Sequence, residues 1–212
     1  SDYEDFIPIE ISKKTIAISY FDNTSGDQSY DPLIKGLADM LISDLSNIES
    51  IKMVEREKLD AILKEIDLGE SKFIDKNTAQ KMGKGLGAQY ILTGSFIVMD
   101  DVFRIDAKLI NVESSEIVFS KSVNGNRETF FDLEKELAQE IISKLELSVS
   151  NKTLSDMEES GTRSFEAFNY CELGVEFHVE AQYDSAMIYY KKSLEYDSNY
   201  LRAKEFDYFS KR

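Results

Sequence analysis

The chain has 212 residues, 42% hydrophobic and 31% charged, with 40 acidic and 25 basic side chains and a formal charge of −15. This is a folded, soluble composition, and its acidity argues against nucleic acid or anionic lipid as a partner, since both demand clustered Lys and Arg. A single cysteine, Cys171, and a single histidine, His178, exclude an intrachain disulfide and every metal or nucleophile arrangement built on Cys or His pairs.

No apolar run approaches the roughly 20 residues of a membrane helix. The sequence opens Ser1-Asp2-Tyr3 without a methionine, so a trimmed mature segment is expected, with any secretion signal or lipid anchor upstream. Residues 1–14 are mixed and read as a lead-in. Thr15–Phe21 is a short β-branched run, as a buried strand requires. A polar break, Asp22–Asp27, leads to a segment from Asp31 to Ile48. In it Leu33, Leu37, Met40/Leu41, Leu45 and Ile48 recur at helical spacing. Asp31 is the expected cap of that helix and Pro32 its first-turn residue.

Ile51–Val54 reads as a second strand. Glu55–Ile66 reads as a helix with Leu59, Ile62/Leu63 and Ile66 on one face. Asp67–Ser71 is a breaker. Asp75 caps a helix over Asn77–Leu86, which Gly87 ends. Ala88–Met99 is continuous enough to be a central strand, and Asp100-Asp101 is a two-residue turn. Val102–Asn111 alternates, with Phe103, Ile105, Ala107 and Leu109 on one face and Arg104, Asp106 and Lys108 on the other, so it is a half-buried antiparallel strand. Val112–Ser115 turns the chain. Glu116–Val123 gives a third strand of the meander, with Ile117, Phe119 and Val123 on one face. A long helix, Glu128 to about Ser148, carries Phe130, Leu133, Leu137, Ile141 and Leu145. Residues 149–162 are polar and read as a linker. From 163 to 212 the pattern is helical and rich in aromatics.

The fold class that follows is α/β: a mixed sheet with a carboxy-terminal antiparallel meander, flanked by helices, plus a helical hairpin repeat. The expected division is a lead-in over 1–14, an α/β domain over 15–148, a linker over 149–162 and repeat-like helices over 163–212.

Several local patterns in the first 148 residues occur together and in order. They are Ile16–Asn23 followed by Ser25-Gly26-Asp27; Gly36–Asp39 with Leu45; and Val54-Glu55-Arg56 with Leu59. Next come Ala79, Gly83, Leu86-Gly87-Ala88, Tyr90 and Thr93-Gly94-Ser95, and then Arg104–Ala107 with Leu109–Glu113. Together they resemble the family of the curli secretion channel CsgG and the amino-terminal domain of TolB, a fold shared by several envelope lipoproteins. Ser114-Ser115 stands where the family often has Thr-Gly, so that turn is expected to differ. The secretion channel's membrane hairpins have no counterpart between these strands, so the chain is not expected to form a pore itself. The resemblance implies a periplasmic or outer-membrane-associated protein, tied to the membrane only through an unseen lipid anchor. Residues 167–200 resemble one tetratricopeptide repeat. Tyr170, Leu173-Gly174 and Phe177 lie on its first helix, and Tyr183, Ala186, Tyr190, Ser193 and Leu194 on its second.

The residues nominate no catalytic group, metal ligand or cofactor. Gly83–Gly87 ends a helix rather than opening one, the reverse of a phosphate loop. Asp22, Asp27 and Asp31 read as turn and cap residues. Asp100-Asp101 is a hairpin tip, and Glu134 and Glu136 are read as the polar side of an amphipathic helix. Cys171 and His178 are seven residues apart on one helix, about 10 Å, too far for a nucleophile pair. A small-molecule site or hydrolase would need a convergent polar pocket, and none is apparent.

The aromatics are more numerous than one helix pair can bury. Tyr170, Phe177, Tyr183, Tyr189, Tyr190, Tyr196, Tyr200, Phe206, Tyr208 and Phe209 are therefore the candidate protein-binding residues. The expected function is non-enzymatic: a protein-binding module of the cell envelope that scaffolds or assists assembly or secretion. The alternative is a cytoplasmic regulatory scaffold with the same pair of parts. The partner is left open between another protein and a second copy of the chain.

Overall fold

The computed structural model describes residues 13–66 and 74–209. The breaker at Asp67–Ser71, residues 1–12 of the lead-in and residues 210–212 lie outside the described residues. The central run becomes β1 (Lys14–Asn23), in which six consecutive residues, Ile16–Phe21, are buried. Such a run cannot alternate, because both faces of the strand are covered. β1 pairs in parallel with β2 (Ile51–Met53) and with β3 (Tyr90–Met99). β3, β4 (Val102–Asn111) and β5 (Ile117–Asn126) form the expected antiparallel meander, giving the order β2-β1-β3-β4-β5.

Helices fill the parallel crossovers and cover both faces. α1 (Pro32–Ser46) and α4 (Phe130–Lys144) lie on one face, where Leu33, Leu37, Leu41, Phe130, Leu137 and Ile141 meet Ile18, Leu92, Phe103, Ile105 and Leu109. α2 (Arg56–Glu65) and α3 (Lys76–Leu86) lie on the other, where Leu59, Leu63, Ala79 and Met82 meet Ala17, Tyr20, Ile91 and Ile110.

Local chemistry sets the boundaries. The Asp75 carboxylate accepts from the Thr78 N–H at 2.7 Å and so caps α3, and Gly87 ends that helix at φ 65°. Asp100 and Asp101 both have positive φ, 48° and 66°, as a tight twisted hairpin turn requires. In the next turn the Asn111 carboxamide accepts from the N–H groups of Glu113 and Ser114, and Ser115 takes φ 59°.

Three expectations need correction. Asp31 does not cap α1 with its side chain; its carboxylate accepts instead from Asn23 Nδ2 at 2.7 Å, bracing the loop between β1 and α1. Ile117 is exposed, because the β4–β5 register shifts between Leu109 and Ile110 and takes it out of the face that buries Phe119 and Val123. The stretch read as a linker contains α5 (Asn151–Glu159), capped by Ser150 and held to the core through Met157.

The carboxy-terminal helices are α6 (Phe165–Val179), α7 (Tyr183–Tyr196) and α8 (Leu201–Phe209). α6 starts inside the α/β core. Phe165 lies 5.3 Å from Phe103 and 5.2 Å from Phe130 between ring centroids, and Phe168 lies 5.7 Å from Phe131. Gly36 permits this approach of α1 to α6, since a Cβ there would sit 2.6 Å from the Phe168 ring.

Gly94 is a point of close approach within the sheet. A Cβ on it would come within 2.4 Å of both the Asp106 carbonyl oxygen and the Phe21 ring. Gly94→Ala is expected to lower the unfolding free energy by about 1–3 kcal/mol through overpacking, read as a reduced urea midpoint at unchanged m-value.

Candidate functional site

The helical hairpin is built on small residues and two buried tyrosines. Ser164 caps α6 by accepting from the Ala167 N–H at 3.1 Å. A Cβ on Gly174 would meet the Tyr190 ring at 2.5 Å, so only glycine lets that ring cross α6. The Ser193 hydroxyl donates to the Ala167 carbonyl at 2.6 Å and locks α7 to α6. Cys171, Ala186, Tyr190, Tyr200 and Ala203 form the interior of the three helices.

The candidate aromatics therefore divide. Tyr190 and Tyr200 are core residues and leave the set of surface candidates. Tyr170, Phe177, Tyr189 and Phe206 are half-buried. Phe177, Tyr189, Tyr170 and Tyr196 form a stacked row with centroid steps of 5.2, 6.3 and 5.6 Å, and the Lys192 ammonium lies 5.3 Å from the Tyr170 ring. Tyr183, Tyr196 and Tyr208 are at least half exposed, together with Val179, Ile188 and, at 71%, Leu201. The Phe209 side chain lies outside the described residues.

The seam behind the hairpin was not foreseen. A cavity of about 500 Å³ opens between α1, α4, the α5–α6 turn and the start of α8. Met40, Phe131 and Phe168 supply apolar wall, and two charge clusters flank it. In the first, Lys135 Nζ lies 2.6 Å from an Asp44 oxygen, and the Ser160 hydroxyl donates to the other at 2.9 Å. Glu134 lies beside them, 1% exposed, with neither carboxylate oxygen hydrogen-bonded. Burial first, and then the Asp44 charge, hold its pKa well above the usual carboxylate range; Lys135 opposes them. In the second, Asp39 takes Arg56 on one oxygen and Arg202 on the other, the latter at 2.9 Å. Arg202 also reaches the buried Glu172, at 3.2 Å. Burial pushes Glu172 up to about 7, against the pull of Arg202.

This corrects the reading of Glu134 as a surface residue. It follows Phe130 by four positions and precedes Ala138 by four, so it shares the buried stripe of α4. That spacing was the signal in the sequence, and Glu172, four after Phe168, carries the same one. The chemistry at the seam is that of a clasp. Lys135 is 2.9 Å from the Ser160 hydroxyl but is already ion-paired to Asp44, so it is not placed as a base for that serine. Burial pushes the Cys171 thiol up to about 12, which leaves little thiolate near neutrality. In the first loop, Asp27 accepts from the Ser29 N–H and Asp31 from Asn23, so both carboxylates serve the turn.

Residues 8–102 match the family described as the curli production assembly/transport component CsgG. The amino-terminal part of the α/β domain is CsgG-like. The matched stretch runs from ahead of β1 to the first residue of β4. A protein named putative adenylate cyclase 3, from Rhizobium meliloti (strain 1021), is 24% identical over 158 residues, 74% of this chain and 25% of that protein. The chain thus spans about a quarter of the curated relative it matches. Among solved structures, the LpoB carboxy-terminal domain from Salmonella enterica gives a TM-score of 0.46 at 16% identity, covering 54% of this chain and 84% of that one. TolB from Acinetobacter baumannii gives 0.46 at 16% identity, over 63% of this chain and 28% of that one.

The raised carboxyls set a pH dependence of definite sign. A carboxyl whose pKa is higher folded than unfolded binds more protons in the native state, so stability increases as pH falls between the two values. For Glu172 that window runs from about 7 down toward its ordinary 4.5. Below it, Asp27, Asp75 and Asp106, all held below the usual range, act in the opposite sense. The unfolding free energy is expected to rise from pH 8 to pH 5.5, by no more than about 1.4 kcal/mol per pH unit for each raised carboxyl, read as a higher urea midpoint. Glu172→Gln together with Glu134→Gln should flatten the profile.

Proposed function

We propose that the chain is a non-catalytic protein-binding module of the bacterial cell envelope, scaffolding or assisting the assembly or secretion of an envelope complex. Its helical hairpin is the binding element and is read as a single tetratricopeptide repeat. The observation that carries this is the division of the hairpin. Its inner side is occupied by the α/β core through Phe165, Phe168 and the charged clasp. Tyr183, Ile188, Tyr196, Leu201 and Tyr208 remain exposed on its helices. Apolar and aromatic side chains left in water on an ordered support are what a protein partner buries. The CsgG-like stretch, from a family described as an assembly/transport component, supports the envelope setting.

A second reading is a regulatory segment of a larger signalling protein. The similarity to a quarter of a putative adenylate cyclase favours it, and that similarity is longer than the CsgG-like stretch. Cell fractionation of the full-length protein in its host separates the two: recovery with the envelope supports the first, and recovery with the cytoplasm the second. The surface itself is tested with a photo-crosslinking residue in place of Ile188. One discrete crosslinked partner is expected. Tyr183→Ser with Leu201→Ser should weaken its capture about tenfold, while stability changes by about 0.5 kcal/mol or less per site. Unchanged crosslinking in the double variant would remove the hairpin as the binding element.

A further inference from the structure

The two edges of the sheet are unlike. β2 has three residues and is followed at once by α2, whereas β5 has ten and pairs with β4 alone among the described strands. Edge strands in natural proteins are blunted by proline, by charged side chains, inward-pointing ones included, or by bulges. β5 has no proline. Its one charge, Lys121, is drawn back onto α4 by Glu136 and Glu140 at 2.9 and 2.8 Å. The register shift falls beyond Phe119, so Phe119–Asn126 pair regularly with β4.

The faces beside that edge differ in chemistry. Toward α4 stand Phe119 and Val123, both buried. On the opposite face α2 and α3 cover β1, β3 and the end of β4, leaving Ser120, Ser122 and Asn124 exposed. Behind this low row β4 carries Arg104, Asp106 and Lys108. Arg104 Nε lies 3.0 Å from the Asp106 carboxylate, to which Ser122 also donates, and the Arg104 contact above all keeps the Asp106 pKa low. On this face β4 holds one carboxylate and two cations, a net charge of +1 in a chain with a formal charge of −15. The strip beside the open edge is thus cationic on an acidic molecule.

We propose that β5 accepts an added strand from another protein: an extended segment alternating carboxylate and aliphatic residues. Its backbone would complete the hydrogen bonding of β5. Its carboxylates would lie over the serine row. Two strand spacings put them about 10 Å from β4, within the combined reach of a glutamate and of Arg104 or Lys108 across the short side chains between. Its aliphatic residues would extend the Phe119 and Val123 face beside α4, where Glu136 and Glu140 disfavour a further acid. This edge shares no residue with the hairpin surface.

The test uses the full chain and a capped peptide of alternating Glu and Val, as long as β5, with the same peptide carrying Lys for Glu as control. At about 1 mM acidic peptide and low salt, amide exchange along Phe119–Asn126 is expected to slow about tenfold, and β2 to be unaffected. The Lys peptide should give no protection, and about 1 M NaCl should abolish the effect without altering the protein. Arg104→Glu with Lys108→Glu should remove it as well; the salt result decides the matter if that variant misfolds. Equal protection by both peptides would overturn the proposal, as would protection at β2. Concentration-dependent protection of β5 without peptide would overturn it too, by showing that a second copy takes the edge.

Discussion

The insertion of Phe165 and Phe168 into the space between α1 and α4 is the contact on which the arrangement of the molecule depends. Burying each ring contributes on the order of 2 kcal/mol, and the rings they meet, Phe103, Phe130 and Phe131, line the α/β core itself. The hairpin is therefore not tethered to the sheet by a flexible chain. Its first helix begins as part of the sheet's own hydrophobic layer. The geometry relies on Gly36, because any side chain there would occupy the place of the Phe168 ring. With α6 fixed, Gly174 and Tyr190 place α7, and Tyr200 and Ala203 place α8.

Apolar contact alone would leave the angle between these parts loosely set, since burial has no direction. The clasp supplies direction. Arg202 on α8 ties Asp39 on α1 to Glu172 on α6, and Ser160 with Lys135 closes on Asp44. Such pairs add little net stability, because desolvating them offsets most of the attraction. Removing one member, however, strands its partner without solvent. The clasp thus penalises misdocked arrangements more than it stabilises the docked one. Glu134 and Glu172 show the cost, as their pKa values are displaced upward by burial.

Much of the α/β layer was legible in the sequence because its signals are local. A run buried on both faces, a strict alternation from Phe103 to Leu109, an aspartate cap at Asp75 and a glycine stop at Gly87 each depend on a few adjacent residues. What was not legible depended on contacts between distant segments. The polarity of Ser150–Gly161 concealed a helix, because Leu154 and Met157 pack on an apolar core assembled from distant segments. Asp31 looked like a cap until Asn23 claimed its carboxylate. The tyrosines of the hairpin looked alike as letters, yet Tyr190 faces Gly174 and is sealed, while Tyr196 ends a stacked row and is open.

The buried acids make the same point more sharply. The charge of Glu134 assigns it to the surface and its spacing assigns it to the core, and spacing is the better guide. Side-chain direction on a helix is fixed by geometry, whereas a charge can be accommodated in the interior by protonation or by a partner such as Lys135. Where the two signals conflict, the conflict locates a seam. Both glutamates lie on otherwise apolar stripes, and both mark where one part of the fold docks on another. Lys121 is the counter-case at the opposite edge of the sheet. It too lies on the core-side face of its strand, between Phe119 and Val123, but α4 offers it Glu136 and Glu140 at the surface, so its charge remains in contact with water and the edge it leaves is bare.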